Sequence, residues 1–294
     1  MSPPSDASLD VLVVFHNSER FIDSLLTSLS AVKVPIVCYF LDNASNDRTL
    51  EVLFKRLKDF RFRSYIFRSL RNNGFGRGVN LLSTQSSSKF MFVLNPDTIV
   101  EPHCIETLLT RAISSSSIGM CEARQTPREH PKRFDHDTGE TSWCTGAAVL
   151  IRREAFEDVR GFDERIFFMY CEDVDLSWKL WLRGWQCIYV REAVMQHFTQ
   201  DLLPGKRRTL ENYFTFRNSL FLFYLYGSWE SWRVLARFLI RRFVTGDYSF
   251  RARTLYAFAF AEHLRYIPYL LQTRYIRGAR PHPWIRLEET SLAD

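Results

Sequence analysis

The six cysteines of this chain (Cys38, Cys104, Cys121, Cys144, Cys171 and Cys187) include no C-x-x-C pair, and several lie inside apolar runs. That pattern excludes a disulfide scaffold and a cysteine-rich zinc site, and it reads as reduced, mostly buried thiols. Long hydrophobic runs are missing too. Stretches such as 219–226 and 255–261 are apolar, but a spanning helix needs ~20 such residues. The opening MSPPSDA lacks a basic n-region and an apolar h-region, so no secretory signal is expected and a cytoplasmic protein is. No repeat interrupts the chain, and only 114–117 is compositionally biased. A glycine-rich nucleoside triphosphate loop with its lysine is also absent, because FHNS (15–18) follows the first apolar run.

What is present suits one large domain, or one domain with an appendage: 294 residues, 46% hydrophobic and 24% charged. The net charge of +6 is uneven. Residues 1–204 hold 24 Lys/Arg against 26 Asp/Glu, whereas 205–280 hold 14 against 4. The expected division is therefore a near-neutral body, 1–204, and a basic, aromatic helical extension, 205–294. In that extension Trp232, Leu235, Leu239 and Phe243 recur at helical spacing, with Arg233, Arg237 and Arg241 on a neighbouring face. A basic amphipathic region suits an anionic membrane surface rather than nucleic acid. The competing reading is that these helices complete the core or form a homodimer contact.

The body alternates strand and helix. Apolar runs at 10–15, 35–41, 63–67 and 89–94 read as buried strands. Between them, Ser18 can cap a helix carrying Phe21, Leu25 and Leu29, and Asp47 can cap one carrying Leu50, Leu53, Phe54 and Leu57. Pro102 opens another helix. A polar loop is expected over 125–140, then a strand at 145–151, a helix at 153–159, a helix at 172–182 and a last strand at 185–190. Such alternation implies an α/β fold with a doubly wound, mostly parallel, Rossmann-like sheet.

Acids stand where those runs end. Asp42 follows the second strand, Asp97 the fourth, and Glu172, Asp173 and Asp175 open the helix at 172. Open α/β sheets bind ligands at the carboxyl ends of their strands. Asp42 can accept from a nucleobase N–H or a ribose hydroxyl, or simply end a strand in an Asp-Asn turn. Hard divalent cations want carboxylate oxygen, which suits Asp97. Three acids in four residues exceed what helix capping needs, and their crowding raises the pKa of at least one.

The segments FHNSERF (15–21), LDNASNDRT (41–49), RNNGFGRGVN (71–80), LNPDT (94–98), TGAAVLIRREAF (145–156) and GFDERIFFMYCEDVDLSWKLWLRGW (161–185), closed by His197, resemble family 2 inverting glycosyltransferases, rhamnosyltransferase-like branch. The resemblance covers about 9–218 and implies the GT-A fold, a nucleotide-sugar donor (a dTDP- or UDP-sugar, rhamnose among them) and a hydroxyl acceptor on a glycan or lipid-linked glycan. It implies Mg²⁺ or Mn²⁺ at Asp97, where the family often has Asp-x-Asp and this chain has Asn95-Pro96-Asp97. His197 is then a further ligand or else a packed, hydrogen-bonded side chain. The general base falls on Asp173, with Glu172, Asp175 and Trp143 ordering the acceptor or its loop. Donor contacts fall on Asn17, Asp42, Asn43, Asn73, Gly74, Asn80 and Asn95. Arg207 and Arg208 form a diphosphate clamp or a solvated basic loop. Arg217 and Asn218 match a further family pattern. The implied enzyme is a metal-dependent hexosyltransferase of cell-surface polysaccharide synthesis, peripheral at the inner face of the cell membrane. Two rivals are a sugar nucleotidyltransferase, which needs the missing glycine-rich loop, and a non-catalytic anionic-surface binder, which leaves the acids unexplained.

Overall fold

A computed structural model describes residues 9–129, 132–198, 206–227, 229–240, 243–244, 249–277, 282–285 and 287. Eight strands form one sheet: β1 (Leu9–Phe15), β2 (Ile36–Asn43), β3 (Arg63–Ser69), β4 (Phe90–Leu94), β5 (Thr98–Val100), β6 (Ile118–Thr126), β7 (Ala148–Arg152) and β8 (Gln186–His197). Their order is β3-β2-β1-β4-β7-β6-β8-β5. β1, β2, β3 and β4 pair in parallel. β7 runs against β4 and β6, and β5 runs against β8. The doubly wound, mostly parallel sheet is therefore present, made mixed by two reversed strands.

Parallel strands covered on both faces must be apolar throughout, and β1 is buried at all seven positions. Its side chains alternate between two cores. Leu12 and Val14 face one, with Val79 and Leu82 of α3 (Phe75–Gln85) and Trp178 of α6 (Glu172–Leu182). Val11 and Val13 face the other, with Leu25 and Leu29 of α1 (Ile22–Ser30), Leu53 of α2 (Thr49–Arg56) and Leu108 of α4 (Cys104–Ile113). A short α5 (Arg153–Asp158) follows β7. The C-terminal helices are α7 (Lys206–Tyr226), α8 (Trp229–Ile240), α9 (Phe250–His263) and α10 (Ile267–Arg277). They join the first core: Phe216, Leu220, Phe221 and Leu235 are buried there, and Leu239 and Phe243 pack against it. The apolar stripe expected over Trp232, Leu235, Leu239 and Phe243 thus faces inward at its last three residues, as the competing reading had it; the side chain of Trp232 and residue Arg241 lie outside the described residues. The division expected at 204/205 likewise falls in 199–205, which are not described.

Several local expectations change. Ser18 does not cap a helix; its hydroxyl donates to the His16 carbonyl, and α1 begins after a 3₁₀ turn at Glu19–Phe21. Asp47 does serve the first turn of α2, accepting from the Thr49 N–H at 3.0 Å. β8 runs on to His197 instead of stopping at 190, because β5 and β6 pair along its second half. β6 occupies 118–126, so the polar loop starts later than expected. Its Glu122 and Gln125 are buried polar residues, which disguised the strand as loop. All six cysteines are free, and five are buried.

Candidate active site

The carboxyl ends of β1, β2, β3, β4, β6 and β8 share one edge of the sheet, and the acids expected from the sequence gather along it. On the β2–β3 side, Asp42 and Asn43 end β2 beside Phe15 of β1. Asp42 is buried and accepts from the Ser45 N–H at 3.1 Å. The Asn43 amide donates to Asn72 Oδ1 (3.0 Å) and the Gly74 carbonyl (3.1 Å), and its oxygen accepts from the Asn73 N–H (3.1 Å). Asn73 donates in turn to Ser69 Oγ at 2.8 Å. The loop before α3 is thereby tied to the end of β2. Gly74 has φ +86°, and a Cβ there would stand 2.1 Å from the Phe168 carbonyl oxygen, so only glycine fits. Asn17, exposed and also left-handed (φ +53°), accepts from the Asn46 N–H at 2.8 Å and borders the same rim.

Asn80 does not join this cluster. Its amide donates to the Phe162 carbonyl (3.0 Å) and Glu164 (3.1 Å) and accepts from the Phe162 N–H (3.0 Å), which fixes the turn ahead of α6. Asn95 caps the end of β4, its N–H donating to the Ala147 carbonyl at 2.9 Å.

At the next position Asp97 and His197 meet across the β5–β8 ladder, where Thr98 pairs with His197. His197 Nε2 lies 3.3 Å from Asp97 Oδ1. Gln125 decides what that contact is. Its Nε2 donates to Thr145 Oγ1 (2.9 Å), so its oxygen faces His197 Nδ1 at 2.8 Å and takes that proton. In the neutral ring Nε2 then presents a lone pair toward the carboxylate, where it makes no hydrogen bond. A cation between the two would satisfy both acceptors, as would a second proton on the ring. Two ligands at right angles with ~2.1 Å bonds stand about 3.0 Å apart, close to what is seen. A histidine oriented by a second-sphere amide is the usual arrangement for a metal ligand. No cluster of three or more such ligands occurs among the described residues, so the remaining positions would belong to water and substrate oxygens.

The third group opens α6. Asp173, half-buried, accepts from the Gly146 N–H at 3.1 Å and the Val174 N–H at 2.9 Å. Burial raises its pKa, while those two donors and the Lys132 charge act against the rise. Glu172 is 7% exposed, and its Oε2 has no hydrogen-bond partner. Burial first, and then the Asp173 charge, push its carboxyl up to about 8. The two carboxyls titrate as a unit, and burial favours the protonated form of Glu172. Asp175 has a structural place, fully buried, accepting from Tyr226 Oη at 2.6 Å with Lys179 Nζ at 3.3 Å. Trp178 and Trp181 are core residues whose indole N–H groups donate to Ser142 Oγ and the Thr141 carbonyl.

Trp143 stands in a polar girdle that the sequence concealed. Lys132 Nζ pairs with buried Glu122, donates to the Trp143 carbonyl (3.0 Å) and lies 4.8 Å from the Trp143 ring. Glu122 accepts from the Thr145 N–H at 3.1 Å. Thr145 and Gly146, adjacent in the chain, therefore link the Asp97–His197 pair to Asp173. Arg207 and Arg208 fall in the first turn of α7 rather than in a loop; their side chains lie outside the described residues.

Residues 10–160 match the model of glycosyl transferase family 2. The chain belongs to that family. This removes the sugar nucleotidyltransferase alternative. Among relatives, N-acetylglucosaminyl-diphospho-decaprenol L-rhamnosyltransferase of Mycobacterium tuberculosis is 28% identical over 236 residues, covering 64% of this chain and 75% of that one. Rhamnosyltransferase WbbL of Escherichia coli is 25% identical over 217 residues, 61% of this chain and 79% of that one. The solved structure of the mannosyltransferase PcManGT from Pyrobaculum calidifontis, in complex with GDP-Man and Mn²⁺, aligns with a TM-score of 0.60 at 14% identity. It covers all of this chain and 82% of that one. At such identity the likeness shows the fold, which is GT-A. This family 2 glycosyltransferase has Asp42 and Asp97 at the strand ends where the sequence pattern put them.

Proposed function

We propose that the chain is an inverting glycosyltransferase that takes a sugar from a nucleoside-diphosphate donor, dTDP- or UDP-linked, rhamnose among the candidates. The acceptor is a hydroxyl of a lipid-linked glycan, in cell-surface polysaccharide synthesis. The observation that carries the reading is geometric: Asp173 at the head of α6 is held by the Gly146 and Val174 N–H groups, across residues 145–146 from the Asp97–His197 contact. Asp173 takes the proton of the acceptor hydroxyl as its oxygen bonds to the anomeric carbon, and the bond to the diphosphate breaks on the opposite face. One displacement inverts that carbon. Asp42, Asn43, Asn73 and Gly74 hold the nucleoside and approach the diphosphate, with Asn17 and Asn95 at the rim, and Arg207 and Arg208 are assigned to the diphosphate. Trp143 offers a sugar a ring face, and Asp175 fixes α6 from within. Mg²⁺ or Mn²⁺ at Asp97 and His197 would neutralise the charge that develops on the leaving diphosphate.

A lipid-linked acceptor calls for a membrane surface. The support is the exposed side chains of the C-terminal region: Val244, Phe250 and Phe258 are 68%, 84% and 67% exposed, and Arg233, Arg237 and Arg251 are exposed too. Among the described residues no helix is long and apolar enough to cross a membrane. Those arginines, each worth ~1 kcal/mol near anionic lipid, support peripheral attachment at the cytoplasmic face.

The test is Asp173→Asn. Transfer should fall by at least ~10²–10⁴-fold, the contribution of a positioned proton acceptor, with donor affinity near that of the wild type. Activity within a few-fold of wild type would remove Asp173 from the role.

A further inference from the structure

The base is reached through a strained stretch of chain. Tyr170 and Cys171 both have φ +66°, left-handed backbone that neither side chain favours, and Glu172 and Asp173 follow directly. Something must hold them there.

The restraint comes from α7. The amide nitrogen of Asn218, fully buried, donates to the carbonyls of Met169 (2.8 Å) and Tyr170 (2.7 Å). Arg217 Nε donates to Asn218 Oδ1 at 3.0 Å, which fixes the amide with its N–H groups toward the loop. Arg217 Nη2 donates to the Ile166 carbonyl at 3.2 Å, and its Nη1 pairs with Glu262 of α9 at 3.1 Å. Phe214, Phe221 and Tyr266 surround the guanidinium. The same loop is held from the opposite side, where the Phe168 carbonyl accepts from the Phe75 N–H at 3.1 Å, next to Gly74.

We propose that Arg217 and Asn218 are positioning residues: from α7 they clamp residues 166–171 in their left-handed turn, and so set the place of Asp173 relative to the donor-side loop at Gly74. The inference rests on the reading of Asp173 as the base. Asn218 is committed to two backbone carbonyls and Arg217 to Ile166, Asn218 and Glu262, so their effect on the reaction passes through the loop and not through the substrate.

The experiment compares wild type, Asn218→Ala, Cys171→Gly and the double variant, as full chains. One readout is hydrogen exchange of peptides spanning 166–176; the other is transfer from dTDP-rhamnose and UDP-sugars to a polyprenyl-diphosphate-linked N-acetylglucosamine. Asn218→Ala should speed exchange in that segment, and should lower kcat roughly 10–100-fold with donor KM held within about threefold, as expected of a displaced catalytic group. Glycine adopts φ +66° without strain, so Cys171→Gly should restore a large part of both in the double variant. A residue that merely supports packing would show no such rescue. If Asn218→Ala fails to fold, Arg217→Lys, which keeps the charge but loses the planar fork, carries the same readouts. Unchanged kcat and exchange, or a loss that Cys171→Gly leaves untouched, would overturn the inference. A wild type that transfers no sugar while Asn218→Ala still loosens 166–176 would instead overturn the proposed reaction and leave the clamp standing.

Discussion

Glu172→Gln is the substitution whose effect the structure sizes most directly. Burial with an unpartnered Oε2 pushes the Glu172 carboxyl from 4.5 up to about 8. Because the folded value is the higher one, the fold favours the protonated acid. Its contribution is complete below about pH 4.5, fades as pH rises, and is gone above about 8. At ~1.4 kcal/mol per pH unit, that window is worth about 5 kcal/mol at most. Glutamine keeps the shape and never ionises, so the variant lacks this dependence. Urea unfolding at a series of pH values should give wild type and variant similar stability near pH 4.5. By pH 8 the variant should be more stable by several kcal/mol, the order of magnitude that this window allows. Parallel curves for the two proteins would refute the argument, since they would mean that Glu172 is ionised and partnered in the native state.

Two further outcomes are expected. Asp97→Ala should abolish cation-dependent donor binding and EDTA should silence the wild type, with His197→Ala milder and Gln125→Leu costing roughly 10–100-fold in cation affinity; full activity in chelator would move charge neutralisation to Arg207 and Arg208. The protein should cosediment with anionic but not neutral vesicles at low salt, and replacing Val244, Phe250 and Phe258 by serine together with Arg233 and Arg237 by glutamate should abolish this; a protein that stays in the supernatant would make the exposed face a homodimer contact instead.

The legible parts of this molecule are those where local pattern and tertiary role coincide. β1, β2 and β4 are read as strands because strands covered on both faces must be apolar, and Asp42 and Asp97 stand out because they end such runs. β6 is illegible for the opposite reason: it puts Glu122 and Gln125 inside the sheet, where Lys132 pairs with the first and Thr145 and His197 with the second. Gln125 lies 72 residues from His197 and gives no signal that it orients it. Asn80 carried the resemblance, yet its amide serves the turn before α6. The stripe at 235–243 had the right period, but period alone does not say whether an apolar face meets lipid or the protein's own core.

The β5–β8 ladder has a consequence for the order in which the enzyme comes into being. Asp97 leaves the ribosome about a hundred residues before the strand that pairs with its own, and β5, three residues long, has no other neighbour in the sheet. β1 to β4 can assemble while β8 is still being made, which allows a nascent chain to close the proposed nucleoside-side half early. The Asp97–His197 pair cannot exist until the last strand has docked at the edge. The contact proposed to serve the donor's diphosphate therefore forms only with completion of the sheet.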